Sequence, residues 1–297
     1  MKIFDCFMYF DEELLLDLRL NYLNKFVDKF IIVESNYDHK GEKKKPNFKR
    51  EKFKKFDDKI EYILIDEQPK DIDEVKFDDK SPDTSAKYIL NAVKRENFQR
   101  NYIKNCLSEA NDNDWIIISD VDELPNLKNI DFKNIKNQFI FFKQEMMYYK
   151  FNLKIENFTW VGTKACRMKN LLSPQWLRNI KDRSYPWWRL DTFFSKSKYR
   201  SIKFIDDGGW HFSYLKTPEE IEKKLKSYLH HREYELNPIG VKKIKKLIKQ
   251  KETIYNLKID QRLNQFGGGN KLSKVNINIL PKYISENKDK LENWIEK

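Results

Sequence analysis

The chain has 297 residues, 40% of them hydrophobic and 14% aromatic, enough apolar material for a buried core and too much for an intrinsically disordered protein. Fifty-eight Lys and Arg against 46 Asp and Glu leave a net charge of +12, which suits a phosphate ligand, nucleic acid or an acidic membrane face without choosing among them. Cys6, Cys106 and Cys166 are odd in number and far apart, which speaks against a disulfide framework or a zinc cluster.

No stretch reaches the ~20 apolar residues of a membrane span, and MKIFDCFMYFDEE meets acids too early for a signal peptide, so a soluble, cytoplasmic protein is expected. Ile3 to Phe10 reads as a first strand. Behind it Leu15, Leu18, Tyr22 and Phe26 recur every three to four residues, as on one face of a helix. Phe30 to Val33 and Tyr62 to Ile65 are short β-rich runs that close on Glu34-Ser35 and Asp66-Glu67. The basic stretch between them, His39 to Lys55, predicts a loop and a helix with a solvated face. Residues 66–83 are acidic, carry two prolines and lack periodicity, which predicts a long loop. Thr84 to Ala110 has a helical pattern, with Ile89, Ala92, Val93, Ile103 and Leu107 inward.

Alternating strand and helix over the first 120 residues predicts an α/β layer with a mostly parallel sheet. Strands buried on both faces explain why Ile116, Ile117 and Ile118 follow one another without polar alternation. After Pro125, residues 139–153 and 155–168 are aromatic and β-branched and predict an antiparallel extension. The remainder reads as helical. Thr217-Pro218-Glu219-Glu220 has the form of a capped helix start, and Val241 to Gln250 is a basic amphipathic helix. Gly267 to Asn270 breaks the chain before a final segment.

DWIIISDVDELP, residues 114–125, sets Asp120 and Asp122 where a buried strand runs out, the place where an open α/β sheet holds its ligand. Two residues apart on extended chain, roughly 6.6 Å, both carboxylates can face one ion directly or through its water. A hard cation, Mg²⁺ or Mn²⁺, takes one or two such carboxylates and fills its other positions with water and substrate phosphates. Two acids behind a strand also serve as a plain helix cap, so the spacing leaves both readings open.

The opening KIFDCFMYFDEELLLDLRLNYL, FIIVESN, ENFQRNYI, WIIISDVDELP and GGWHFSY together resemble glycosyltransferase family 17, the β-1,4-mannosyl-glycoprotein N-acetylglucosaminyltransferases, in order over nearly the whole chain. The resemblance implies a GT-A fold as one catalytic domain over 1–297. Its parts would be a nucleotide-binding half (1–125), an acceptor half (126–216) and a helical C-terminal segment (217–297). It also implies a DxD motif holding Mn²⁺ on a UDP-sugar, usually UDP-N-acetylglucosamine, and inverting transfer to a glycan. Members with an N-terminal membrane anchor work in the Golgi; no such anchor is visible here, so compartment and acceptor do not carry over.

On that likeness Asp122 is the first choice for direct metal contact and Asp120 for the ribose or a metal-bound water. His211, inside GGWHFSY, is a further candidate for the metal or the diphosphate. Glu123 turns away. Glu34 is a candidate for the nucleotide base or ribose, or else a cap. Arg95 and Gln99, four apart on one helix face, are placed to reach the diphosphate; Arg100 joins them, or forms a surface pair with Glu96. An inverting transfer needs a base, and Asp207 is chosen, with Asp206 and Glu145 behind it. Among the aromatic residues Trp210 and Tyr148 are taken to stack on sugar. His230 and His231 are placed on a helix surface, and His39 has no assigned role.

The positive charge and the Val241 to Gln250 helix would also suit peripheral contact with an anionic membrane carrying a lipid-linked acceptor, unless that helix is an ordinary one. Two other classes compete: a metal-dependent nuclease or phosphoryl-transfer enzyme, and a non-catalytic carbohydrate-binding protein. No nucleic-acid partner is expected.

Overall fold

The computed structural model describes residues 1–76, 79, 81–228, 231–257 and 269–297. The chain begins β1 (Ile3–Tyr9), α1 (Glu13–Leu23), β2 (Lys29–Ser35), β3 (Ile60–Ile65), α2 (Pro82–Tyr102) and β4 (Trp115–Asp120). It continues through β5 (Glu123–Pro125), β6 (Phe139–Phe142), β7 (Gln144–Tyr148), β8 (Leu153–Trp160), β9 (Lys164–Arg167) and α3 (Pro174–Asn179). Then follow β10 (Ile202–Ile205), β11 (Gly209–Ser213), α4 (Pro218–Ser227), α5 (His231–Leu236), α6 (Gly240–Gln250), β12 (Leu272–Lys274) and α7 (Lys282–Glu286).

A seven-stranded sheet runs in the order β10-β6-β9-β4-β1-β2-β3, and a five-stranded sheet in the order β12-β8-β7-β11-β5. Strands β3, β2, β1 and β4 form a wholly parallel block. The expectation of a mostly parallel sheet fails beyond it. Five of the ten strand pairings among the described residues are antiparallel: β9 inserts between β4 and β6 and opposes both, and three more pairs lie in the second sheet. The second sheet is mixed as well, since β7 and β11 run parallel. Long crossovers make parallel neighbours, as they still do for β6 with β10 and β7 with β11, whereas the short connection that links β7 to β8 after residue 125 lets the chain fold back antiparallel against itself.

Alternation along the large sheet divides its apolar residues between two cores. Phe7, Phe30, Ile32, Trp115 and Ile117 face α1 and α7, whereas Cys6, Ile31, Val33, Ile116 and Ile118 face the layer of α2 and α3. This is why the isoleucine run needs no polar member: each side chain enters a core, at about 1.5–3 kcal/mol apiece. The second sheet buries a third cluster against the C-terminal helices, through Ile221 and Leu225 of α4 and Ile244 and Leu247 of α6. The expected α4 start is a full capping box at Thr217, with Pro218 at the first helical position. With Ile244 and Leu247 packed inward, α6 has no free apolar face for a bilayer. Among the described residues no helix is long and apolar enough to cross a membrane. All three cysteines are buried and unpaired.

Candidate active site

A cavity of about 360 Å³ opens where the parallel block ends, within the size range of small-ligand pockets. Tyr9 and Phe10 at the end of β1, Ser35 at the end of β2, Asp120 at the end of β4 and Asp122 just beyond it form one wall. Trp160, His211 and Tyr214 bring in the second sheet, and Lys224, Tyr228 and Tyr255 close the space from the C-terminal segment.

The two most distinctive stretches of sequence meet here because β5 pairs with β11. His211 lies opposite Glu123 in that ladder, and the Phe212 amide donates to the Asp122 carbonyl at 2.8 Å. Gly209 permits the approach. Its φ is +114°, and a Cβ there would stand 2.2 Å from the Leu124 carbonyl oxygen, so only glycine fits. Asp122 Oδ1 is thereby held 3.5 Å from His211 Nε2, while its other oxygen faces Lys224 Nζ at 3.8 Å. Burial alone would lower the His211 imidazole, but the Asp122 carboxylate outweighs it and the net shift is upward. Lys224 follows the same logic: burial opposes its charge, and Glu12 and Asp122 hold it protonated.

Asp120 occupies a different environment. Its oxygens accept from Arg100 Nη2 at 3.0 Å and Arg178 Nη2 at 2.9 Å. Burial would raise this carboxyl, and the Arg178 and Arg100 guanidiniums overcome it and keep it well below the usual range. Glu123 does turn away from the cavity, as expected, but into a socket: it accepts from Arg178, the Trp160 indole at 2.6 Å and the Asp120 amide at 3.0 Å. Underneath, the fully buried Arg19 pairs with Asp5 through both oxygens and donates to the carbonyls of Asp120 and Glu123. The peptide that carries the acids is thus anchored from below by α1.

Several expected site residues are elsewhere. Glu34 is buried behind the cavity, saturated by Lys44 Nζ, the amides of Asn47 and Phe48 and the Tyr62 hydroxyl, so it fastens the 44–48 loop and has no oxygen left for a nucleotide. Gln99 lines the cavity but donates to the Val33 carbonyl. Arg95, one turn earlier, instead binds Gln68 and the His39 carbonyl outside it. Arg100 acts through Asp120, although it also keeps the pair with Glu96 at 2.7 Å.

The three proposed bases do not line the cavity either. Asp207 is exposed and bonded to Asn126, Asp206 is paired with Lys143 in solvent, and Glu145 is paired with Lys154. Asp207 lies in the bend that precedes β11, four residues before His211, and has no place in the cavity lining. Trp210 and Tyr148 are core side chains: the β-strand period turns Trp210 away from His211, onto Tyr22 of α1 at 5.8 Å. Trp160 lines the cavity in their place, its ring 5.1 Å from that of His211. His231 is buried rather than on the surface, and His230 is outside the described residues, as are Gly267 and Gly268 of the Gly267 to Asn270 break. His39 lines the cavity, its imidazole lowered by burial.

Sequence inspection passed over Arg19, Arg178 and Lys224. Each is a lone cation among 58 Lys and Arg, with no local pattern to mark it. Among the described residues no three His, Cys, Asp or Glu side chains are gathered as a metal cluster. Asp122 and His211 offer two ligands for a hard cation whose other positions go to water and phosphate, and at 3.5 Å apart they fit that role.

No curated protein and no solved structure matches the chain. A family model does match, over residues 1–294, so the chain that builds this cavity belongs to glycosyltransferase family 17.

Proposed function

We propose that this glycosyltransferase moves a sugar, with N-acetylglucosamine as first candidate, from a UDP-sugar to a hydroxyl of a glycan acceptor, with inversion and with Mn²⁺ or Mg²⁺ bound. The observation that carries the reading is the meeting of Asp122 and His211 in a cavity at the carboxyl ends of parallel strands. On this view the block β3-β2-β1-β4 is the nucleotide-binding half, residues 1–125, of a GT-A-type arrangement. Residues 126–216 receive the acceptor, and 217–297 close the site with Lys224. With the family established, the nuclease and sugar-binding alternatives lose their footing.

Departure of UDP leaves negative charge on a diphosphate, and the barrier falls where that charge is met by fixed positive groups. Asp122 and His211 would hold the cation, which when bound supplies Lewis-acid neutralisation of the phosphate oxygens. Lys224, held protonated between Glu12 and Asp122, provides a second cation from this chain's own residues. Asp120, both oxygens engaged by arginine, is left to orient the turn and to meet a ribose or a water. Trp160 offers a flat apolar edge to the sugar. Glu12, facing the cavity and opposed by a lysine rather than an arginine, replaces Asp207 as candidate base for the acceptor proton.

The test is UDP release from a panel of nucleotide sugars, with Mn²⁺ or with EDTA. Wild type is expected to turn over UDP-N-acetylglucosamine only with the metal, and Asp122→Asn and His211→Ala to lose at least about a hundredfold. Full activity in Asp122→Asn, with its thermal midpoint unchanged, rejects the assignment.

A further inference from the structure

The segment between α3 and β10 has no part in the cavity, and it breaks the usual rule for side-chain burial. Eleven large hydrophobic side chains are exposed among the described residues, and five of them fall within eight positions: Trp187, Trp188, Leu190, Phe193 and Phe194. Phe194 is 91% exposed and Trp187 78%. Scattered exposed apolar residues need no explanation, whereas a contiguous patch marks a contact surface.

The segment is held in place at its root. The Lys181 amide donates to the Ser197 carbonyl at 2.8 Å, and the Trp176 indole donates to the Lys196 carbonyl at 2.7 Å. Within it Arg200 reaches back to the Trp187 carbonyl and lies over the Phe193 ring. The aromatic tip is therefore displayed on a fixed base. Around it the charge is one-sided: Lys181 to Lys203 contains seven Lys and Arg and two Asp. One of those acids, Asp191, is already neutralised by Arg189 and Lys198.

We infer that residues 185–194 are a docking element for an anionic lipid bilayer, with the tryptophans and phenylalanines entering the interface and the surrounding cations meeting lipid phosphates. Tryptophan favours the bilayer interface, and basic residues beside an apolar insertion add to binding on acidic lipid. A neutral glycan gains nothing from the cations, and a single-stranded nucleic acid gains little from Leu190, which has no flat ring to stack. Helix α6 cannot take this part, because its apolar residues are packed inside the third core. A transferase docked in this way would work on a lipid-borne acceptor; that consequence rests on the proposed function, but the docking itself does not.

Co-sedimentation of the full chain with vesicles tests the docking without any need for turnover. Vesicles of phosphatidylcholine with phosphatidylserine are expected to retain the protein, more weakly as salt rises, with a blue shift in tryptophan emission; phosphatidylcholine alone retains little. The variant Trp187→Ser/Trp188→Ser/Phe194→Ser should lose at least about tenfold in vesicle affinity with unchanged thermal unfolding. Phe194→Ser alone, at a side chain already almost wholly in water, should lose a smaller part and guards against misfolding of the triple variant. The inference is overturned if wild type ignores the acidic vesicles, or if both variants bind as wild type does. It is equally overturned if the segment instead binds a soluble oligosaccharide or an oligonucleotide, or drives self-association in analytical ultracentrifugation with no vesicle binding.

Discussion

Asp120 and Asp122 are two residues apart, yet they belong to two regions built on opposite terms. Around Asp120 and Glu123 every carboxylate oxygen has a close donor, from Arg100, Arg178, Trp160 or the Asp120 amide, and Arg19 holds the backbone from beneath. Around Asp122 the cations stand back, at 3.5 Å for His211 and 3.8 Å for Lys224, and the His211 Nδ1 has no hydrogen-bond partner. The first region is a finished ion network and the second an unfinished one. A site that must admit a charged ligand keeps its local interactions incomplete, and it depends on a rigid neighbour to stay in place.

The contrast can be broken from its strong side first. Arg19→Met leaves Asp5 buried without its partner and the turn without its anchor, and should cost about 3–5 kcal/mol in denaturant unfolding. A loss below about 1 kcal/mol would show that the network is ornamental. Lys164 supports the same region, because its ammonium donates to the carbonyls of Arg178 and Ile180 at the end of α3. Burial, reinforced by the Arg178 charge, brings that ammonium down to about 8. An unfolded lysine titrates near 10.4, so between these values the unfolded chain holds a proton that the folded one has released. Stability from this residue therefore rises with pH across about 8 to 10.4 and is flat below, by up to about 3 kcal/mol. Lys164→Met should remove the rise, and parallel stability–pH curves for wild type and variant would refute it.

Smaller effects sharpen the comparison. Asp120→Asn keeps the shape and removes the charge from two guanidiniums, for a loss of about 2 kcal/mol together with most activity. Asp122→Asn should shift stability by less than about 1 kcal/mol, since its partners lie beyond close hydrogen-bond range, while turnover is lost. Equal destabilisation by the two asparagines, read from urea midpoints at neutral pH, would erase the distinction between the regions.

Much of this was legible along the chain. The strands that open the parallel block, the helix start at Thr217 and the position of the acids at the end of a buried strand all follow from periods of two and 3.6 and from turn chemistry. The likeness in SDVDELP and GGWHFSY pointed to the family that the whole-chain match confirms. Glu34, Arg95, Trp210, Tyr148 and the three expected bases do not line the cavity; they were read from the likeness, from local spacing or from residue type, none of which says which side of a strand or which neighbour a side chain meets.

Sequence by itself therefore determined the local elements, the acids at the strand end and the family, because each depends on residues close together or on a motif read in order. Tertiary structure alone decided that β5 lies along β11, that Arg19 and Arg178 lock one acid while Lys224 and His211 leave the other open, and that the sheets are mixed. These are pairings between positions tens to more than a hundred residues apart. They arise from packing whole layers on one another, which no short stretch of residues encodes.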